Sequence, residues 1–424
     1  MEKFAIVGFG CAGYHALCAI RDSGSDAQID IYSDTNLPPY NPMLTTYYIA
    51  EKLPYKGLFP FGALEDIARE KKANLFTETC VKKICAKSKT IETESGETRL
   101  YDKILISTGA KAFVPEKFRS LSSVLCMRTV DDALKMQQVL NNRHYNNAIV
   151  VGASMVGIKI AEILYNLGCH VTLVDMASHI FSLAAYPRFS QVIEERLREM
   201  GINLMFGCEI TDVIEKKIES SNIAKYRVEF ADKTAMDTEL LVMNIGTRAT
   251  VDFLNRQEIE VDRGIIVDEQ MQTTAPDIYA AGDCCQGYNL QTSEKQIIGL
   301  WANAGIQGQV AGMNMAGKQE KTDGNILHNI THFLNMDFIG LGDNRITGEE
   351  KFYQSRDKRF SMQVIMKNGK PVGFNILDNY GISGILKDYL IKILEGQPAK
   401  LSPIQRGQLI RYGMEEEFID QLEA

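Results

Sequence analysis

Residues 3–13, KFAIVGFGCAG, decide the fold. The first five are a short apolar run suited to a buried parallel strand. Glycines follow at positions 8, 10 and 13, in GxGxxG spacing, and YHALCAIRD (14–22) continues with helical periodicity. IDIYSD (29–34) then reads as a second strand that closes on Asp34. Each glycine has a physical task. Gly8 permits the tight strand-to-helix turn, Gly10 lets backbone approach a pyrophosphate, and Gly13 lets helix and strand pack closely. The helix N-terminus adds N–H groups and the positive end of its dipole. An acid about 20 residues on accepts ribose hydroxyls, a task for Asp34. Strand, glycine turn, helix and acid in this order read as a dinucleotide-binding unit.

The pattern recurs in NNAIVVGASMVGIKIAEILYNLGCHVTLVD (146–175). Gly152 and Gly157 take the first and third glycine positions, Ser154 replaces the second, and Asp175 ends the second strand. Two such units in one chain imply two dinucleotides. A carboxylate at 175 accepts from a 2′-hydroxyl and repels a 2′-phosphate. The next residues, MASH, offer no arginine to hold that phosphate. NAD(H) is therefore expected in preference to NADP(H).

Other segments are plainer. KTIETESGETRLYDKILIST (89–108) reads as a hairpin with a Ser-Gly turn and a returning apolar strand, ending at Thr108, Gly109 and Ala110. TTAPDIYAAGD (273–283) reads as a polar turn and a short strand that ends in Gly282 and Asp283. GKQEKTDG (317–324) has the composition of a linker, and the last hundred or so residues alternate strand-like and helical segments, which predicts a third domain. GNILHNITHFL (324–334) reads as a helix that places His328 and His332 on one face. Two imidazoles without a third ligand do not make a metal site, so none is expected. The adjacent Cys284 and Cys285 read as packed thiols, because a vicinal disulfide is strained. The net charge of −8 argues against nucleic acid or an anionic membrane as the main partner. Nine scattered cysteines without a CxxC pair fit a reducing compartment, and a cytoplasmic protein is expected. The apolar N-terminal stretch is glycine-dense and lacks a small-residue cleavage site, unlike a signal peptide.

In this order, GFGCAG, ISTGAKAFVP (106–115), VVGASMVGIKIAE (150–162), NIGTRATVDFL (244–254) and TTAPDIYAAGD resemble the FAD-dependent pyridine nucleotide-disulfide oxidoreductase family over nearly the whole chain. The resemblance implies an α/β fold of two Rossmann-like domains plus a C-terminal α+β interface domain. FAD binds the first unit, at 1–112 and 248–318, and NAD(H) the inserted second, at 113–247. The interface domain spans 325–424 and often makes such proteins dimers. Gly8, Gly10, Gly13, Asp34, Thr108, Gly109, Gly282 and Asp283 would then serve FAD, Asp283 holding the ribityl and pyrophosphate region. Gly152, Ser154, Gly157 and Asp175 would serve NAD. LWANAGIQGQVAGMNMAG (300–317) matches the helix whose N-terminus faces the flavin pyrimidine. Length and motif spacing are most similar to the branch of rubredoxin reductases, nitrite reductase NADH-binding parts, NADH oxidases and coenzyme A-disulfide reductases.

Two departures carry information. YNPMLTTYYI (40–49) matches the stretch that caps the flavin, and where some relatives carry a redox cysteine this chain has Met43. A thioether forms no thiolate and no mixed disulfide. Met43, Thr45, Thr46, Tyr47 and Tyr48 are candidate flavin neighbours, with plain helix packing as the alternative for the tyrosines. Lys159 stands where the family usually has a glutamate near the nicotinamide. It would change how the carboxamide end is held, pair with a neighbouring acid, or mark altered or lost hydride donation. The expected activity is an FAD-dependent NAD(P)H oxidoreductase that passes electrons to a redox protein such as rubredoxin, ferredoxin or another iron–sulfur partner. The alternatives are a flavin oxidoreductase for a small organic molecule or oxygen, and a flavin-binding subunit of a larger redox complex. A homodimer is the expected assembly.

Overall fold

The computed structural model describes residues 1–119, 121, 124–141, 144–217 and 224–423. Ala424, the last residue of the expected third domain, lies outside them. The chain forms two compact units, one of Met1–Lys111 with Thr247–Asn325, the other of Ala112–Gly246 with Ile326–Ala424.

The first unit is built on a five-stranded parallel sheet. Its order is Ile278–Ala280, Lys103–Ile106, Lys3–Val7, Gln28–Tyr32, Ala73–Phe76. Phe4, Ala5 and Ile6 are fully buried, as are Ile104, Leu105 and Ile106, so these strands read as unbroken apolar runs. Lys3–Val7 lies between Lys103–Ile106 on one side and Gln28–Tyr32 on the other. The strand order reverses there, and the glycine turn after Val7 emerges at that switch point. The helices Cys11–Asp22 and Trp301–Met315 pack backbone to backbone. A side chain at Gly308 would strike the Ala12 carbonyl, and one at Gly312 the Ala16 carbonyl. The second strand stops at Tyr32 rather than at Asp34. The Ser33 hydroxyl accepts from the Thr35 N–H at 3.3 Å, a local turn that competes with the ladder.

The second unit repeats the plan. Its four-stranded parallel sheet runs Asn203–Phe206, His170–Asp175, Asn147–Val151, Leu240–Met243. The same unit carries a five-stranded antiparallel sheet near the C-terminus, in the order His328–Phe333, Met336–Leu341, Lys370–Leu377, Ser361–Lys367, Glu349–Gln354. The helices Ser383–Leu394, Pro403–Arg411 and Glu416–Glu423 follow it. The chain is thus an α/β protein with two Rossmann-like units and a C-terminal α+β region.

The segment read as a helix around His328 is a strand. Its β-branched Ile330 and Thr331 suit a pleat, and Leu334 and Asn335, at φ +46° and +61°, turn it back into MDFIGL. Four residues apart on a strand, His328 and His332 lie roughly 13 Å from one another. Among the described residues no cluster of metal-ligating side chains forms.

Candidate cofactor sites

The two glycine turns are built alike. Gly8 has φ +91°, and a Cβ on it would stand 2.5 Å from the Ser107 carbonyl oxygen. Gly152 has φ +105°, and its Cβ would strike the Asn244 carbonyl. In each unit a fingerprint glycine therefore lies against the residue just past the neighbouring strand, where no side chain fits. Gly13 is equally constrained, since its Cβ would stand 2.5 Å from the Gly8 carbonyl. Gly10 differs. No protein atom lies within 4 Å of the place its Cβ would take. The protein's own packing does not require a glycine there, whereas a pyrophosphate laid on the N-terminus of Cys11–Asp22 does. Gly10 caps that helix without a side-chain hydrogen bond.

Gly282, Asp283 and the start of Trp301–Met315 meet the same turn. The Gly282 Cβ position is 3.3 Å from that of Ala12, and its N–H donates to Gln307 Oε1 at 2.9 Å. The Cys11 thiol donates to the Trp301 carbonyl at 3.3 Å. Burial first, and then the charge of Asp283, pushes this thiol up to about 12. Asp283 thus faces the turn, and its carboxylate oxygens lie 3.7 Å from where a side chain on Gly299 would begin. Thr108 Oγ1 donates to the Thr250 carbonyl at 2.7 Å, and Ser107 Oγ to the Gly8 carbonyl at 2.7 Å, which fixes the neighbouring strand end. Gly109 follows at φ +65°. Asp34 is exposed, two residues beyond its strand.

The threonines of YNPMLTTYYI face inward. Thr45 and Thr46 are buried, and their hydroxyls donate to the Pro42 and Met43 carbonyls at 2.7 and 3.2 Å. Met43 caps the short helix Leu44–Ile49 and is 38% exposed. Tyr40 and Tyr48 join Tyr55 and Phe59 in edge-to-face contacts, so these rings take part in aromatic packing. The remaining thiols near Asp283 are closed. Burial pushes Cys284 up to about 11 and Cys285 well above its ordinary range, and both sulfurs donate to backbone carbonyls.

In the second unit, Asp175 accepts the Ala153 N–H at 2.6 Å and the Ala177 N–H at 2.8 Å. Ala153 lies inside the glycine turn, so strand end and turn are joined by this carboxylate. Ser154 is exposed, and its Oγ accepts the Gly157 N–H at 3.3 Å, leaving the hydroxyl proton to donate outward. Lys159 points away from solvent. It is 4% exposed, pairs with Glu162, and donates to the His332 carbonyl at 2.6 Å. Of the sequence alternatives, pairing with a neighbouring acid is what the geometry shows. Gln307 and Asn244 were invisible as site-building residues in the sequence, since Gln307 acts on a residue distant in the chain and Asn244 through its backbone.

Residues 2–308 match the family model described as pyridine nucleotide-disulphide oxidoreductase. The chain belongs to this family. It is an FAD-dependent NAD(P)H oxidoreductase with FAD and NAD(H) as cofactors. It is 27% identical over 409 residues to the NADH-dependent phenylglyoxylate dehydrogenase subunit epsilon of Aromatoleum evansii, covering 94% of this chain and 93% of the relative. It is also 27% identical over 322 residues to an NADH oxidase of Methanocaldococcus jannaschii, covering 74% and 70%. Its fold matches the crystal structure of a covalent putidaredoxin reductase–putidaredoxin complex at TM-score 0.86 and 20% identity, covering 99% and 98%.

Proposed function

We propose that this family member takes electrons from NADH through FAD to a redox protein acceptor of the rubredoxin, ferredoxin or other iron–sulfur type. The observation that carries this reading is the lack of a cysteine at position 43 together with the closed state of the thiols around Asp283. Position 43 is a methionine, and Cys11, Cys284 and Cys285 are buried thiols held far from ionisation. Disulfide and persulfide chemistry needs a thiolate, so electrons leave without a thiol relay. When bound, the nicotinamide supplies a hydride, and FAD accepts two electrons together and passes them on singly.

The chain's own residues bind and orient. Gly8, Gly10 and Gly13 with Thr108, Gly109 and Gly282 would seat the FAD pyrophosphate, Asp283 its ribityl side and Asp34 the ribose. Gly152, Ser154 and Gly157 would seat the NAD pyrophosphate, with Ser154 donating its hydroxyl proton. Asp175 would accept from the adenosine ribose and repel a 2′-phosphate. We assign 1–112 and 248–318 to the FAD domain, 113–247 to the NAD(H) domain and 325–424 to a dimerising interface domain. Among the described residues no helix is long and apolar enough to cross a membrane, and we place the protein in the cytoplasm.

A second reading has one observation in its favour. The relative matched over 93% of its length is named as a subunit, so this chain would be the flavin-carrying component of a larger redox complex. Steady-state NADH oxidation separates the readings. Slow turnover in air that rises with an added iron–sulfur protein supports the first. Rapid turnover with oxygen alone supports an oxidase, and co-purification with other subunits supports the second.

A further inference from the structure

The buried Lys159–Glu162 pair does more than neutralise itself. Both residues lie on Met155–Asn166, the helix that opens at the second glycine turn, and they are 4% and 7% exposed. The Lys159 ammonium donates to the His332 carbonyl at 2.6 Å, while Glu162 Oε1 accepts the Leu334 N–H at 3.2 Å. One donor and one acceptor on the helix thus take one acceptor and one donor of the His328–Phe333/Met336–Leu341 hairpin, at its left-handed Leu334–Asn335 turn. The same end of the hairpin is held through a second chain of contacts. His332 Nδ1 bonds Asp337 Oδ1 at 2.5 Å, the Asp337 N–H donates to Asp378 at 3.1 Å, and Asp378 pairs with Arg196 at 2.5 Å. Arg196 belongs to Pro187–Glu199, the helix that follows the Asp175 strand. Two helices of the NAD-type half therefore grip one hairpin of the C-terminal sheet.

We propose that Lys159 and Glu162 are positioning residues, a directional latch that locks the C-terminal hairpin onto the dinucleotide helix and so fixes the seat of the NAD pyrophosphate. The latch rests on the reading of that helix as the NAD seat. Its polarity is specific. Position 159 must donate, because it meets a carbonyl, and position 162 must accept, because it meets an N–H. A lysine at 162 has no acceptor to offer.

The test uses the flavin-loaded full chain. Lys159→Met raises KM for NADH about tenfold or more with kcat within about threefold, the signature of lost binding rather than lost chemistry. It also speeds amide hydrogen exchange across 328–341 in the absence of nucleotide, while flavin content stays at the wild-type level. Lys159→Arg restores most of both. Because Lys159→Met leaves a buried carboxylate alone, the double variant Lys159→Met/Glu162→Met is measured too. It removes both charges, folds, and still shows raised KM and fast exchange. The exchanged pair Lys159→Glu/Glu162→Lys does not rescue. Wild-type KM and exchange in the double methionine variant, or rescue by the exchanged pair, overturns the latch. Failure of the NADH reading itself is distinct, since the hydrogen exchange needs no nucleotide and would still report the latch.

Discussion

Asp175 holds two backbone N–H groups, and in the proposed function it is the residue on which cofactor choice turns. Asp175→Ala removes the repulsion toward a 2′-phosphate and the acceptor for the 2′-hydroxyl together. The NADH over NADPH preference in kcat/KM should fall by about tenfold or more. Unchanged preference would show that another side chain sets it. His328 makes a prediction of a different kind. Burial, and then the charge of Lys387, lowers it from 6.5 to about 4. The folded state thus prefers the neutral imidazole, and this stability is present above 6.5 and lost as pH falls toward 4. The full effect is on the order of 3 kcal/mol. Denaturant midpoints measured across this window should slope downward for the wild type and flatten for His328→Phe. Parallel slopes would remove His328 as the cause.

At the scale of elements, the glycine turns were legible because their chemistry is local. Only glycine tolerates φ +91° against the Ser107 carbonyl or φ +105° against the Asn244 carbonyl. The strand His328–Phe333 was not legible in the same way. Histidines four apart share a face on a helix and on a strand alike, and Leu334 and Asn335 are not the glycine that would announce a hairpin turn. Lys159 was visible as an anomaly, and Glu162 as a neighbour three residues on. The His332 carbonyl and Leu334 N–H, about 170 residues away, were not. The helices Cys11–Asp22 and Trp301–Met315 give the element-scale prediction. Gly308→Val drives a branched side chain into the Ala12 backbone, which cannot yield as a flexible side chain would. Stability should fall by about 3 kcal/mol, and the purified protein should lose flavin, as read from its visible absorbance. Full flavin content would mean that the contact is not needed to hold the turn.

At the scale of the molecule, the sequence pattern repeats once and so does the structure, with a parallel sheet, a glycine turn and a strand-end carbonyl behind it in each unit. What the duplication does not repeat is the second glycine, replaced by Ser154 with a side-chain cap. In the proposed function FAD would receive a hydride from NADH and release its electrons singly, without a sulfur relay. Anaerobic titration of the flavin-loaded protein with NADH tests it most directly. Complete bleaching of the oxidised flavin absorption is expected at one NADH per flavin, unchanged after the exposed thiols are alkylated. A requirement for two NADH per flavin, or abolition by alkylation, would reveal a redox-active thiol, and no bleaching by NADH or NADPH would exclude hydride transfer to the flavin.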